Sequence, residues 1–427
     1  MSSPSRLALA VSGLFILPSA LAAPPAQKVK PPVSQAYIDL ATFSGGMPMP
    51  PGAAGMMGSL PGARNNENSF GMTQSQSPGR WMDVTLLTRN NGKLRTATQS
   101  VPAGARMGPV LNLLAPEQGP VEPIPDDTPQ PVKFEMPKGK MYLYWGCGAE
   151  VRKGQPLVID LANMDSSRFG KFFQNRSATT RVPGPAPGRP AWPNKTDARR
   201  LPDGASLVGE HAFAGDGVVD GFRFNIDARH DLMPAVEASR SEAGGGVLFR
   251  WKPMQQASAW FVQAMGMRDT SKGGEMEMVY WSSSELPDMG MGLVNYQPNG
   301  SIAKWQKEKV LLPASATECV APKEAVSAMS MSRVIAYGEE LNMAYPPRPQ
   351  DPKIAWEPQW DLKLRLKSVA SLMPGMDGAM QAAMAGQDGE PEQRQAPGSV
   401  AGTAKEAAKE SVTRGVLDSV VRGLFGR

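Results

Sequence analysis

Histidine and cysteine are almost missing from this chain of 427 residues, which holds two of each: His211, His230, Cys147 and Cys319. A thiol nucleophile normally needs an imidazole base beside it, so covalent cysteine chemistry has little to build on. No H-E-x-x-H, G-x-S-x-G or P-loop run occurs, which removes the local signatures of zinc proteases, serine hydrolases and phosphate-binding loops. Gly215 to Gly221 has glycines in the manner of a dinucleotide fingerprint, but the last is one position late and no strand-then-helix pattern surrounds it. A surplus of one charge sign is also lacking: 45 basic residues against 40 acidic ones give a net charge of +5, no footprint of nucleic-acid binding.

Long apolar runs are lacking too. The one from Leu7 to Leu17 falls well short of the roughly 20 residues that span a bilayer. It follows Arg6 and precedes Ala20-Leu21-Ala22, so it reads as a secretory signal peptide over 1–22, cut after Ala22. The expectation is a periplasmic or secreted protein with no transmembrane segment after signal removal.

What is abundant is glycine, proline and methionine, at 44, 41 and 26 residues. Residues 23–78 lack periodicity and read as a flexible arm, with one short ordered piece at Gln35 to Phe43. Trp81 to Leu87 and Lys93 to Val101 flank Asn90-Asn91-Gly92, a hairpin signal. Further strands are expected at Val132 to Met136, Lys140 to Trp145, Leu157 to Leu161, Ser206 to Phe213 and Val218 to Ile226, completing a first β domain over 79–230. The Pro-rich stretch from Asn175 to Pro202 carries Arg176, Arg181, Arg189, Lys195, Arg199 and Arg200, and reads as a solvated loop or as one contacting phosphate-bearing envelope polymers.

Gly244-Gly245-Gly246 opens a second domain, 244–370. Val247, Phe249 and Trp251 alternate with Leu248, Arg250 and Lys252; Ala259 to Met267 forms the next strand; Met276, Met278 and Tyr280 share a face of a third. Strands are also expected at Ser301 to Leu312 and at Arg333 to Tyr337, the latter with a short helix from Lys323 as the other reading. Trp360, Leu362, Leu364 and Leu366 alternate with Asp361, Lys363, Arg365 and Lys367, a strand with its charged face toward water. Trp251, the turn at Ala257 to Ala259 and Trp260-Phe261-Val262 resemble the B and C strands of fibronectin type III and immunoglobulin-like domains. Tyr144 to Gly148 (YWGCG), Val279 to Glu285 (VYWSSSE) and Tyr345 to Pro349 resemble an uncharacterised group of secreted proteobacterial proteins, a likeness that implies no activity.

After a linker over 371–402, a helix over 403–425 begins at Thr403 and Glu406, which stand in capping-box spacing. It sets Val416, Leu417, Val420 and Leu424 on one side, to dock on the body, an envelope protein or a membrane surface. Cys147 and Cys319, in an exported chain, are expected to form a disulfide between the two domains; buried thiols or a reactive Cys147 are the other readings. Met47, Met49, Met56 and Met57 could hold Cu(I), since soft sulfur suits a soft ion, while M-x-M within a strand otherwise fills a core. The whole reads as an all-β protein of two β-sandwich-like domains, a non-catalytic exported binding or scaffold protein of the cell envelope without a cofactor. The alternative is Cu(I) buffering by methionines.

Overall fold

In the computed structural model, residues 27–45, 68–75, 77–117, 139–161, 172, 176–178, 182–268, 276–327 and 330–372 are described. Among them are the strands β1 Ser34–Gly45, β2 Gly79–Thr88, β3 Thr96–Ser100, β4 Val110–Leu114, β5 Gly139–Trp145, β6 Leu157–Asp160, β7 Ala191–Trp192, β8 Gly209–Gly215, β9 Arg223–Ile226, β10 Ala238–Ala243, β11 Gly246–Trp251, β12 Ala257–Arg268, β13 Met276–Ser282, β14 Leu312–Pro313, β15 Glu318–Pro322, β16 Met331–Gly338, β17 Leu341–Tyr345 and β18 Trp360–Leu372, and the helices α1 Met72–Ser75 and α2 Asn299–Lys307. The signal segment 1–22, the strand at Val132 to Met136 and the helix over 403–425 lie outside the described residues.

The fold is all-β and sandwich-like, as expected. Fifteen strands join in one mixed sheet, β6-β5-β13-β12-β16-β18-β1-β2-β7-β4-β3-β8-β9, with β14 on β12 and β17 on β18. Strands β10-β11-β15 form a second sheet. Consecutive strands β11 and β12 therefore sit in different sheets. Phe249 of β11 stacks on Trp281 of β13 at 5.6 Å between ring centroids, and Trp251 lies 5.5 Å from Trp260 of β12. Each such side chain contributes roughly 1.5–3 kcal/mol by leaving water.

The ordered piece expected in the N-terminal arm is a central strand. β1 pairs in parallel with β18 and antiparallel with β2, and its Ala36, Ile38 and Leu40 are buried on one face while Asp39, Ala41 and Phe43 are buried on the other. Strands on both sides of the expected boundary share the large sheet: β5 pairs in parallel with β13, and β1 with β18. The described residues fall within one compact unit. Gly244 and Gly245, at φ of 56° and 86°, turn β10 into β11 rather than introducing a separate sheet.

Three expectations are overturned. Ser301 to Leu312 is largely helical, not a strand: α2 begins after Pro298 and buries Ile302 and Trp305, three residues apart on one helical face. The Asn90-Asn91-Gly92 turn joins strands that do not pair, because β2 pairs with β1 and β7 while β3 pairs with β4 and β8. Asn91 instead closes an Asx turn, its Oδ1 accepting from the Lys93 N–H at 2.9 Å, and its amide reaches the Asp216 carboxylate at 3.0 Å. The inner part of the charged face of β18 does not meet water, for Arg365 and Lys367 are 4% and 1% exposed. A second core built from Leu293, Val294, Ile302, Trp305, Val310 and Leu311 packs against that face.

Candidate functional site

Alternation along β18 places Arg365 and Lys367 on the same face, and strand register places Asp39 beside Arg365 and Asp83 beside Asp39. Three neighbouring strands thus bring four ionisable groups together under the cover. Arg365 meets Asp39 with two bonds, Nε to Oδ1 at 2.7 Å and Nη2 to Oδ2 at 2.6 Å, the bidentate geometry that a buried pair needs. Its guanidinium lies 4.6 Å from the Tyr296 ring centroid. Lys367 Nζ donates to the Val294 carbonyl at 3.2 Å and also lies 4.6 Å from Tyr296. Burial lowers its pKa to about 8. Asp83 accepts from the Thr73 hydroxyl at 2.5 Å and the Gly71 N–H at 3.0 Å. Burial raises its pKa to about 7, and the neighbouring Asp39 adds to the rise. With no more than a few per cent of each group exposed, this row reaches no solvent-borne substrate. It fixes the register of β2-β1-β18 and anchors α1 and the loop at 294–296 over the sheet.

The polar groups singled out from sequence are absorbed by the fold. His211 is buried, stacked on Phe224, with Nε2–H donating to the Leu207 carbonyl at 2.7 Å and Nδ1 accepting from the Gln99 amide at 3.2 Å. Burial lowers its pKa, so it stands neutral. His230 pairs with Asp227 at 2.8 Å. Ser282 donates to the Asp288 carbonyl, Ser283 accepts from the Val262 N–H and Ser284 donates to the Leu286 carbonyl; these are serines leaving a strand, as expected. In the basic loop, Arg176 pairs with Asp288 at 2.9 Å, Arg189 donates to the Gly184 carbonyl, Arg199 pairs with Asp197 at 2.5 Å and Arg200 covers the Trp81 ring. Four of its six cations therefore clamp their own chain.

Cys147 and Cys319 are bonded, with Cα atoms 5.4 Å apart. The bond ties the turn after β5 to β15, and so the large sheet to the small one. A groove of about 600 Å³ opens where the rest of the basic loop meets the chain near α1: Phe70, Leu114, Pro116, Pro185, Pro193 and Ala198 supply apolar walls, and Glu117 and Lys195 supply charge. Its proline content marked this stretch as a solvated loop; nothing in the sequence shows that it folds against 68–70 and 114–117. Met47, Met49, Met56 and Met57, and Val416, Leu417, Val420 and Leu424, lie outside the described residues. Met265, Met267, Met278 and Met331 come together on adjacent strands at one end of the large sheet. Among the described residues no three His, Cys, Asp or Glu side chains gather as a metal set.

No family model, curated protein or solved structure matches the chain.

Proposed function

We propose that this chain is an exported, non-catalytic binding protein of the cell envelope, and that the groove beside the Pro-rich loop is where its ligand sits. The groove carries the reading: its volume and its mostly apolar walls with a few polar groups are those of a small-ligand or polymer-segment site. The bond between Cys147 and Cys319 supports export, because such bonds persist in oxidising compartments. Residues 244–370 are read as a fibronectin type III-like sandwich. What supports this is the division of strands between β10-β11-β15 and β13-β12-β16-β18, with the sheet continued at both edges by strands from earlier in the chain. Such a frame suits binding more than chemistry, an inference by analogy of fold.

The test is co-sedimentation of the purified chain, starting at residue 23, with isolated envelopes. Wild type is expected to sediment and Ala198→Trp, which fills the groove, to lose most of that binding. A chain ending at Gly402 measures the share of the helix expected over 403–425. Equal sedimentation of wild type and Ala198→Trp rejects the groove as the contact. Cu(I) buffering is a second reading, favoured by one observation: of the ten large apolar side chains exposed among the described residues, four are methionines.

A further inference from the structure

Methionine that only fills space is buried, as Met82, Met107 and Met233 are here. Met265, Met267 and Met331 are instead 39%, 54% and 42% exposed. They are also neighbours. Met331 of β16 stands directly across from Met265 of β12, and Met267 of β12 directly across from Met278 of β13. Met265 and Met267 are two residues apart on one strand, so all four side chains leave the same face of the sheet. Facing residues on antiparallel strands hold their Cβ atoms about 5 Å apart. An unbranched thioether with three rotatable bonds can close that gap.

The surroundings narrow the ligand. Met278 also packs against the cluster of Met141, Tyr280 and Met289, and its sulfur lies 3.7 Å from the Tyr280 hydroxyl. The ionisable side chain that shares the face beside Met331 is Arg333, two residues along β16 and opposite Gln263. Glu277, next to Met278 in sequence, leaves the other face, where it accepts from the Tyr142 hydroxyl at 2.9 Å. Among the described residues the face therefore offers thioether sulfur without carboxylate oxygen, beside a cation. That donor set suits neither calcium nor magnesium, which take oxygen ligands, and selects soft ions of low charge.

We infer that Met265, Met267 and Met331, with Met278 as a fourth donor, form an open site for a soft monovalent cation, Cu(I) in an exported protein. Binding leaves the ion's charge unchanged and releases no proton, since a thioether carries none. This inference rests on the second reading above, and its failure can be told apart from the failure of that reading. The purified chain from residue 23 is titrated anaerobically with Cu(I) against a competing chelator, and with Ag(I) as a redox-inert stand-in followed by native mass spectrometry. Two variants accompany it: Met265→Leu/Met267→Leu/Met331→Leu, and Met47→Leu/Met49→Leu/Met56→Leu/Met57→Leu.

Wild type is expected to take up the ion, and the strand variant to lose affinity by roughly tenfold or more, as loss of ligands should cost at least what loss of their supporting groups does. Leucine is close to methionine in volume, so the variant folds with little loss; its thermal melt checks this. Methionine methyl resonances of 265, 267 and 331 are expected to shift in wild type on adding Ag(I). Unchanged affinity in the strand variant, or methyl shifts confined to other methionines, overturns the site while leaving copper binding intact. No uptake of either ion by wild type overturns the site and the copper reading together.

Discussion

Asp83 and Lys367 share one buried row, and burial acts on them in opposite directions. For Asp83 the folded pKa of about 7 lies above the usual carboxyl value of 3.8. The folded state therefore favours its proton, so this contribution to stability is complete below about pH 3.8 and is lost as pH rises through about 7. For Lys367 the folded pKa of about 8 lies below 10.5. Its charged form is penalised by folding, and stability is regained as pH rises from about 8 toward 10.5. Asp39, the partner of Arg365, faces both groups, and its carboxylate favours the charged lysine while opposing a charged Asp83. Substituting Asp83→Asn isolates one side of this balance. The stability of wild type minus that of the variant, from urea unfolding at stepped pH, is expected to fall by on the order of 4 kcal/mol between about pH 4 and 7. A difference that stays flat would show that Asp83 is ionised throughout.

At the scale of elements, the segment 293–311, which includes α2, packs against the face that carries that row, and it is where the sequence was least legible. Residues 301–312 contain Ile302, Trp305, Val310, Leu311 and Leu312, a composition that serves strand or helix. Only Ile302 and Trp305 fall at helical spacing, too few to decide the period. β18 was legible as a strand but not in its surroundings. Alternation shows that Arg365 and Lys367 share a face; it cannot show that a segment from 293–311 will cover it, because that packing joins residues some 60 positions apart. β1 was legible only as a short ordered piece at Gln35 to Phe43 within a flexible arm, because its place at the centre depends on pairing with β18, at the far end of the described chain. The candidate sites divide likewise. Cys147 and Cys319 were legible because two thiols in a chain read as exported leave few choices, whereas the strand methionines needed the register of β12, β13 and β16 to become neighbours. If α2 is packed into the second core, its inner and outer faces should differ in cost. Trp305→Ala, at a buried position, is expected to lose about 3–5 kcal/mol. Lys304→Ala, whose exposed amine lies 3.9 Å from Glu308, should change stability by no more than about 0.5 kcal/mol. Equal, small losses in urea unfolding would mean that α2 lies loosely on the sheet.

Over the whole molecule, the large sheet interleaves early and late segments, so folding requires contacts between distant parts of the chain. β1 must find β18, and β5 must find β13; the entropy of closing such long loops opposes each step. The bond from Cys147 to Cys319, with a sequence separation of 172, bears on this directly. In the oxidised chain it holds the segment of β5 near that of β15 before any strand pairs, and it keeps these two segments joined when the chain is unfolded. In the chain-entropy account, closing a loop of this length raises the free energy of the unfolded chain by about 5 kcal/mol. Cys319 is buried in the main core across from Phe249, so the bond is expected to survive mild reductant as long as that core is packed. The Cys147→Ser/Cys319→Ser variant is therefore expected to unfold at a lower urea midpoint with a steeper dependence on urea, because its unfolded chain exposes more surface than the cross-linked one. In wild type, thiol alkylation should need denaturant and reductant together. A variant with the wild-type midpoint, or thiols that alkylate in the folded protein without reductant, would show that the sheets are held by packing alone.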